Sequence, residues 1–200
     1  MPYIIRPPRL LLAALSAAVV CFGAFPAISA AACTQPKSSQ IFSKFGDSAS
    51  YALAPGGSFE SGTSGWTLSK SSIVSGNESS NVAGGTHSLA IEATGSAVSP
   101  TICVSSENPS FRFFAKRTSG TWGVLNVIVR WKDSSGVTHE TTSGSITESS
   151  SWTLSRVMAL GTMLPLWQPG SSLNVQLVFK PEAYGGNWDI DDVYVDPYRK

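Results

Sequence analysis

The chain holds 200 residues, with 14 Lys and Arg against 13 Asp and Glu, three cysteines, and an apolar fraction of 42%. A charge balance this even argues against nucleic acid as a partner, and that apolar fraction excludes a disordered tail. Abundant Ser, Thr and Gly point to an all-β domain with polar turns.

The chain opens with Arg6 and Arg9, an apolar run from Leu10 to Phe25, and small residues through Ala30-Ala31-Ala32. That order is the three-part layout of a secretory signal peptide spanning residues 1–32, so the product is expected outside the cytoplasm, secreted or in the cell envelope. The rival reading is a membrane anchor, which needs about 20 apolar residues, and here Gly23, Pro26 and a string of alanines interrupt a shorter run. Nothing downstream is apolar enough to span a bilayer. Removal of Arg6 and Arg9 leaves 12 basic residues against 13 acidic ones, a net charge near −1. Cys21 leaves with the same segment. Cys33 and Cys103 are then an even pair in an oxidising compartment, expected as a disulfide that would stabilise the fold by roughly 4 kcal/mol in the chain-entropy model. The alternative is a lipidated Cys33, although Ala30-Ala31-Ala32-Cys33 matches lipoprotein sites such as Leu-Ala-Gly-Cys poorly.

From residue 33 to 54 the pattern is a polar leader with apolar punctuation at Ile41, Phe42, Phe45, Tyr51 and Leu53, read as an arm packed on the domain. The domain proper is expected over residues 55–200. Pro55-Gly56-Gly57 breaks into a short strand at Ser58-Phe59-Glu60, and Gly62 to Leu68 turns into a second. His87 to Ala93 alternates, placing Leu89, Ile91 and Ala93 on one face. Ser110 to Arg117 and Val124 to Lys132 are strong strands, with Phe111, Phe113, Ala115 and then Leu125, Val127, Val129, Trp131 inward. Asp133-Ser134-Ser135-Gly136 forms a hairpin turn into Val137 to Thr141. Trp152 to Leu160 and Leu173 to Lys180 supply two more strands.

The last segment, Gly186 to Pro197, closes the chain. Trp188 and Ile190 share one face while Val193 and Val195 share the other, so the period of two slips by one residue at Asp191-Asp192. A bulge accounts for the slip. Two carboxylates there can accept spare N–H groups or hold a hard cation.

Phe59-Glu60 followed by Gly65-Trp66, the strand at Ser88-Leu89, and Asp191-Asp192-Val193 together resemble jelly-roll carbohydrate-binding modules of the galactose-binding-domain-like fold, and the chain also resembles exported single-domain bacterial proteins. The resemblance implies an antiparallel β-sandwich of eight or more strands whose first and last strands meet. It implies a structural calcium held by Glu60, Asp191 and Asp192, the other reading being backbone hydrogen bonding at the bulge. For a polysaccharide or other glycan, the candidate contacts are the loop aromatics Trp122, Trp167 and Tyr184, with Phe114, Asn126, Arg130 and Gln176 on the strand faces. Trp66, Trp131, Trp152 and Trp188 are assigned to packing.

No nucleophile elbow, zinc helix, Cys-x-x-Cys or phosphate loop is present in the sequence, and no catalytic residue is assigned. The leading expectation is a secreted, non-catalytic carbohydrate-binding module. An exported envelope or surface interaction protein without sugar affinity is the alternative, and a secreted hydrolase on the same frame is the third.

Overall fold

The computed structural model describes residues 37–105, 109–133, 135–147, 150–160 and 172–196. The expected signal peptide, Cys33 and Trp167 lie outside the described residues, and no helix among these is long and apolar enough to cross a membrane. Among the described residues, eleven strands make one curled antiparallel sheet: β1 (Ala52–Leu53), β2 (Thr67–Ser75), β3 (His87–Val98), β4 (Ile102–Ser105), β5 (Ser110–Arg117), β6 (Leu125–Lys132), β7 (Thr138–Ile146), β8 (Thr153–Leu154), β9 (Met158–Ala159), β10 (Ser172–Pro181) and β11 (Trp188–Asp196). The path runs β7-β6-β10-β3-β11-β5-β8.

Strand β3 folds this path over. Its first half pairs Leu89 and Ile91 with Ile190 and Trp188 of β11, while its end pairs Ala97 and Val98 with Phe179 and Val178 of β10. Between the halves, Thr94 on β3 and Lys70 on β2 both take positive φ, which turns the strand from one layer into the other. The result is a jelly-roll sandwich. One layer is built on β7, β6, β10 and β4; the other is built on β11 and β5, with β1, β8 and β9 short at its margins.

The core lies between the layers and is aromatic. Phe113 of β5 meets Phe179 of β10 edge-on at 4.9 Å, and Phe59 meets Trp66 at 5.0 Å. Trp188 is fully buried, and its indole N–H donates to the Gly185 carbonyl at 2.8 Å, satisfying the polar edge of an otherwise apolar side chain. Every residue of β11 is buried.

Four expectations are corrected. Ser58-Phe59-Glu60 is not a strand: Phe59 sits in a turn at φ +57, and the first strand is Ala52–Leu53 inside the arm. Thr67–Ser75 is a nine-residue strand, and Ile102–Ser105 is a further one. Trp152 to Leu160 is two short bridges parted at Ser155, whose N–H donates to the Phe113 carbonyl at 2.8 Å. Finally, the outer faces of β5 and of β6 with β10 do not form one surface. They belong to different layers and look away from each other.

Residues 37–54 lie against the outer face of β5 and β11. A 3-10 turn at Ser43–Phe45 brings Phe42 onto the outer face of β5 and β11, where it meets Tyr51 at 5.0 Å, Tyr194 at 5.4 Å and Phe114 at 6.3 Å. Asp47 pins the arm by an ion pair of 2.8 Å to Arg112. Burial raises the Asp47 carboxyl, but hydrogen bonds from the Ala49 N–H, the Tyr51 hydroxyl and Arg112 outweigh it, and its pKa lies below the ordinary value of 3.8. A depressed carboxylate stabilises the fold above its unfolded pKa, and that contribution is lost as pH falls through the lower folded value. Asp47→Asn should therefore lower unfolding free energy by about 1–2 kcal/mol at neutral pH. In urea titrations the gap between variant and parent should close below about pH 4; a gap that is constant with pH contradicts this role.

Candidate functional site

Two neighbourhoods carry the chemistry. The first is the junction of the chain's ends. The Ala54 N–H donates to the Val193 carbonyl at 2.8 Å and the Val193 N–H to the Gly57 carbonyl at 3.0 Å, so the start of the domain is stitched to β11 at its bulge. The register slips between Asp191 and Tyr194, and Asp192 takes φ +49. Both carboxylates are buried.

The β2–β3 loop wraps over them. Asp191 Oδ2 accepts the Glu78 N–H at 3.1 Å, Asp192 Oδ2 accepts the Ala83 N–H at 2.9 Å, and the Asp192 N–H closes onto Asp191 Oδ1 at 2.8 Å. Glu78, itself buried, accepts the Ser80 and Val82 N–H groups. Glu60 sits at the rim, taking the Thr86 and His87 N–H groups at 2.9 and 2.7 Å and the His87 ring at 3.1 Å. Gly85 makes room for it: a Cβ there, at φ +130, would fall 2.3 Å from the Glu60 carboxyl.

Burial, followed by the Asp192 charge, pushes Asp191 up to about 8. Burial, with Glu78 and Glu60 adding, lifts Asp192 to about 6. Among the described residues, the buried side-chain oxygens without a hydrogen-bond partner are Asp192 Oδ1, Asn77 Oδ1 and the Ser88 hydroxyl. An excess of buried negative charge with an idle carboxylate oxygen and an idle amide oxygen is chemistry suited to a hard cation. No group of three or more His, Cys, Asp or Glu among the described residues stands in metal-holding array, so amide and main-chain oxygens would have to complete any shell. Asn77 and Glu78 were not singled out from the sequence.

The second neighbourhood is the outer face of β6 and β10. Trp122, from the β5–β6 loop, is 56% exposed, and Tyr184, from the β10–β11 loop, is 89% exposed. Their loops touch backbone to backbone. A Cβ on Gly123 would lie 1.9 Å from the Gly185 carbonyl oxygen, and the Glu182 N–H donates to the Val124 carbonyl at 2.9 Å. Only glycine permits that approach, and it sets the two rings along one cleft of about 730 Å³ with Asn126, Ile128, Lys180 and Glu182.

Asn126 donates to Glu182 at 3.2 Å. Further along the same strands, Arg130 and Gln176 stand opposite each other in the β6–β10 register and line a second hollow of about 520 Å³ with Lys132 and Asn174. Arg130 is held by Glu140 at 2.7 Å and Gln176 by the Ser99 carbonyl at 3.1 Å. Lys180 and Glu182 are additions that the strand pattern did not single out.

Phe114 is withdrawn from the glycan-contact set. It is 2% exposed beneath Phe42 and Phe45, on the opposite outer face, because the arm covers that side of β5. Trp66, Trp131 and Trp188 are buried, whereas Trp152 is half-buried under the Lys116 ammonium, 4.7 Å from its ring. Cys103 lies on β4.

This geometry has counterparts among solved structures. The chain has the jelly-roll fold of carbohydrate-binding modules. It superposes on the CBM22-1 xylan-binding domain of Paenibacillus barcinonensis Xyn10C with a TM-score of 0.52 and 17% identity, over 72% of this chain and 93% of that one. Against the CBM22-1–GH10 modules of Clostridium thermocellum xylanase 10B complexed with xylohexaose, the values are 0.51 and 16%, over 72% of this chain but 28% of that one. The enzymatically active domain of bacteriophage CBA120 tailspike protein 4 gives 0.50 and 20%, over 72% and 21%. No family model and no curated protein matches the sequence. Identities this low establish the frame, and the frame carries more than one activity.

Proposed function

We propose that this chain is an exported, non-catalytic module that binds a polysaccharide along the outer face of β6 and β10. The observation that carries the proposal is that Trp122 and Tyr184, two large aromatics left in solvent, are brought by touching glycine loops to line one cleft. Soluble domains seldom expose such rings without a partner, and flat aromatic faces suit the C–H faces of pyranose rings. Asn126, Lys180 and Glu182, with Arg130 and Gln176 beyond, supply donors and acceptors for hydroxyl groups. The xylan-binding domain of similar fold supports the substrate class.

In this reading calcium is structural. Asp192 and Asn77 would contribute the side-chain oxygens that lack donors, Asp191 and Glu60 would add negative charge, and nearby carbonyls would fill the shell. When bound, the ion would neutralise buried carboxylates and lock the β2–β3 loop over the bulge. A disulfide between Cys33 and Cys103 would tie the start of the arm to β4.

Affinity electrophoresis of the mature protein against xylan and a panel of neutral polysaccharides tests the binding. At least one polymer should retard the parent, and Trp122→Ala or Tyr184→Ala should weaken that retardation by about tenfold with an unchanged melting temperature. Equal mobility of parent and variants in every gel overturns the proposal. For the ion, calcium should raise the melting temperature and a chelator should lower it by several degrees, with the response absent in Asp192→Asn. A melting temperature indifferent to both contradicts the calcium reading.

A further inference from the structure

The face opposite the proposed glycan groove carries a third hollow. There the arm stands off β5 after Gly46, leaving a cavity of about 850 Å³ walled by the arm, the start of β5, the segment leading into β9 and the end of β11. Its lips are apolar. Phe45 is 40% exposed and Val157 is 52% exposed, and both border the cavity.

The wall behind them is polar and already braced. Arg112 donates from Nε and Nη2 to the Ser155 carbonyl at 2.9 and 2.7 Å and from Nη1 to Asp47 Oδ2 at 2.8 Å, which fixes the guanidinium plane. Asp47 is fixed in turn by the Tyr51 hydroxyl at 2.9 Å and the Ala49 N–H at 3.0 Å. Three of the five guanidinium N–H groups are thus engaged, leaving two donors next to a carboxylate with spare lone pairs. Donors and acceptors set side by side complement adjacent hydroxyl groups, each of which both gives and takes a hydrogen bond. Because the wall is held before any ligand arrives, little ordering remains to be done on binding.

The charges select among ligands. Asp47 and Asp196 line the cavity with Arg112, so an anion meets two carboxylates and a cation meets a guanidinium. A neutral, hydroxyl-rich ring with one apolar face fits the lips and the wall together. We infer that this cavity is a second binding site, taking a neutral sugar unit with Phe45 against its C–H face and the Arg112–Asp47 pair on its hydroxyls. It stands on observations separate from the Trp122–Tyr184 groove. With the two sites on opposite faces of the sandwich, one molecule would bridge two glycan chains.

The test uses the mature protein with Trp122→Ala and Tyr184→Ala combined, so that the groove is disabled. Xylobiose, cellobiose and β-1,4-galactobiose are titrated at millimolar concentration while the Arg112 Nε–H and Phe45 ring signals are followed by NMR, with glucuronic acid and glucosamine as charged controls. At least one neutral disaccharide should shift both signals equally in the parent and in the groove-disabled protein. Phe45→Ala and, separately, Val157→Glu should abolish the Arg112 shift while polysaccharide retardation through the groove stays unchanged. The inference is overturned if no neutral disaccharide moves these signals, if the shifts vanish with the groove residues, or if the charged controls shift them as strongly. Failure of the groove reading gives a different pattern: no polymer is retarded, yet the Arg112 shift persists.

Discussion

The structure depends on how it accommodates two carboxylates inside its last strand. All of β11 is buried, yet Asp191 and Asp192 lie midway along it, where desolvation of a charged group costs several kcal/mol unless donors or counter-charge replace water. The bulge is the response to that constraint. By breaking the ladder it turns Asp192 to positive φ and opens both carboxyls to N–H groups from outside the strand. Those donors come from Glu78 and Ala83 in the β2–β3 loop, and the neighbouring Val193 is stitched to Ala54 and Gly57. One local irregularity thus decides where the loop lies, where the domain begins, and why the ends meet.

The same strand links this junction to the outer face of β6 and β10. β11 starts at Trp188, directly after the Gly185-Gly186 turn that docks on Gly123 and presents Tyr184 beside Trp122. Thr118 and Asn187 extend the contact, the Thr118 N–H donating to the Asn187 carbonyl at 2.8 Å. The loop that carries Tyr184 therefore stands on a strand buried along its whole length, an arrangement that holds exposed aromatic rings in place without burying them. On the other face the arm does the converse. It covers Phe114 and Tyr194 with Phe42, whose ring lies against the Arg112 guanidinium, and leaves Phe45 half in solvent.

Much of this was legible in the sequence wherever apolar residues alternate along the core-facing side of a strand. The alternations of β3, β5, β6 and β10 give their inward residues directly, and the broken period at Asp191-Asp192 reveals the bulge. The start of β2 was legible at Thr67-Leu68 but its run to Ser75 was not, because it is a serine-rich edge strand with no buried residue and period-two hydrophobicity had nothing to mark. Phe59-Glu60 reads as strand from its composition, yet the stitch to Val193 holds that segment as a turn. Phe114 looked like a surface aromatic on a sugar-facing strand, since alternation tells which residues share a face but not which layer the strand joins. Glu78 and Asn77 sit in a loop whose value arises only from what it covers. Exposure of Trp122 and Tyr184 could be read from flanking glycines; their adjacency required the contact between Gly123 and Gly185.

The most direct measurement of this account is native-state amide exchange at Val193, whose N–H bonds the Gly57 carbonyl beside the bulge. The stitched junction predicts exchange only through global unfolding, with an opening free energy equal to that from denaturant titration. Exchange of the Val193 and Ala54 amides within minutes, while the Leu177 amide stays protected, would contradict it.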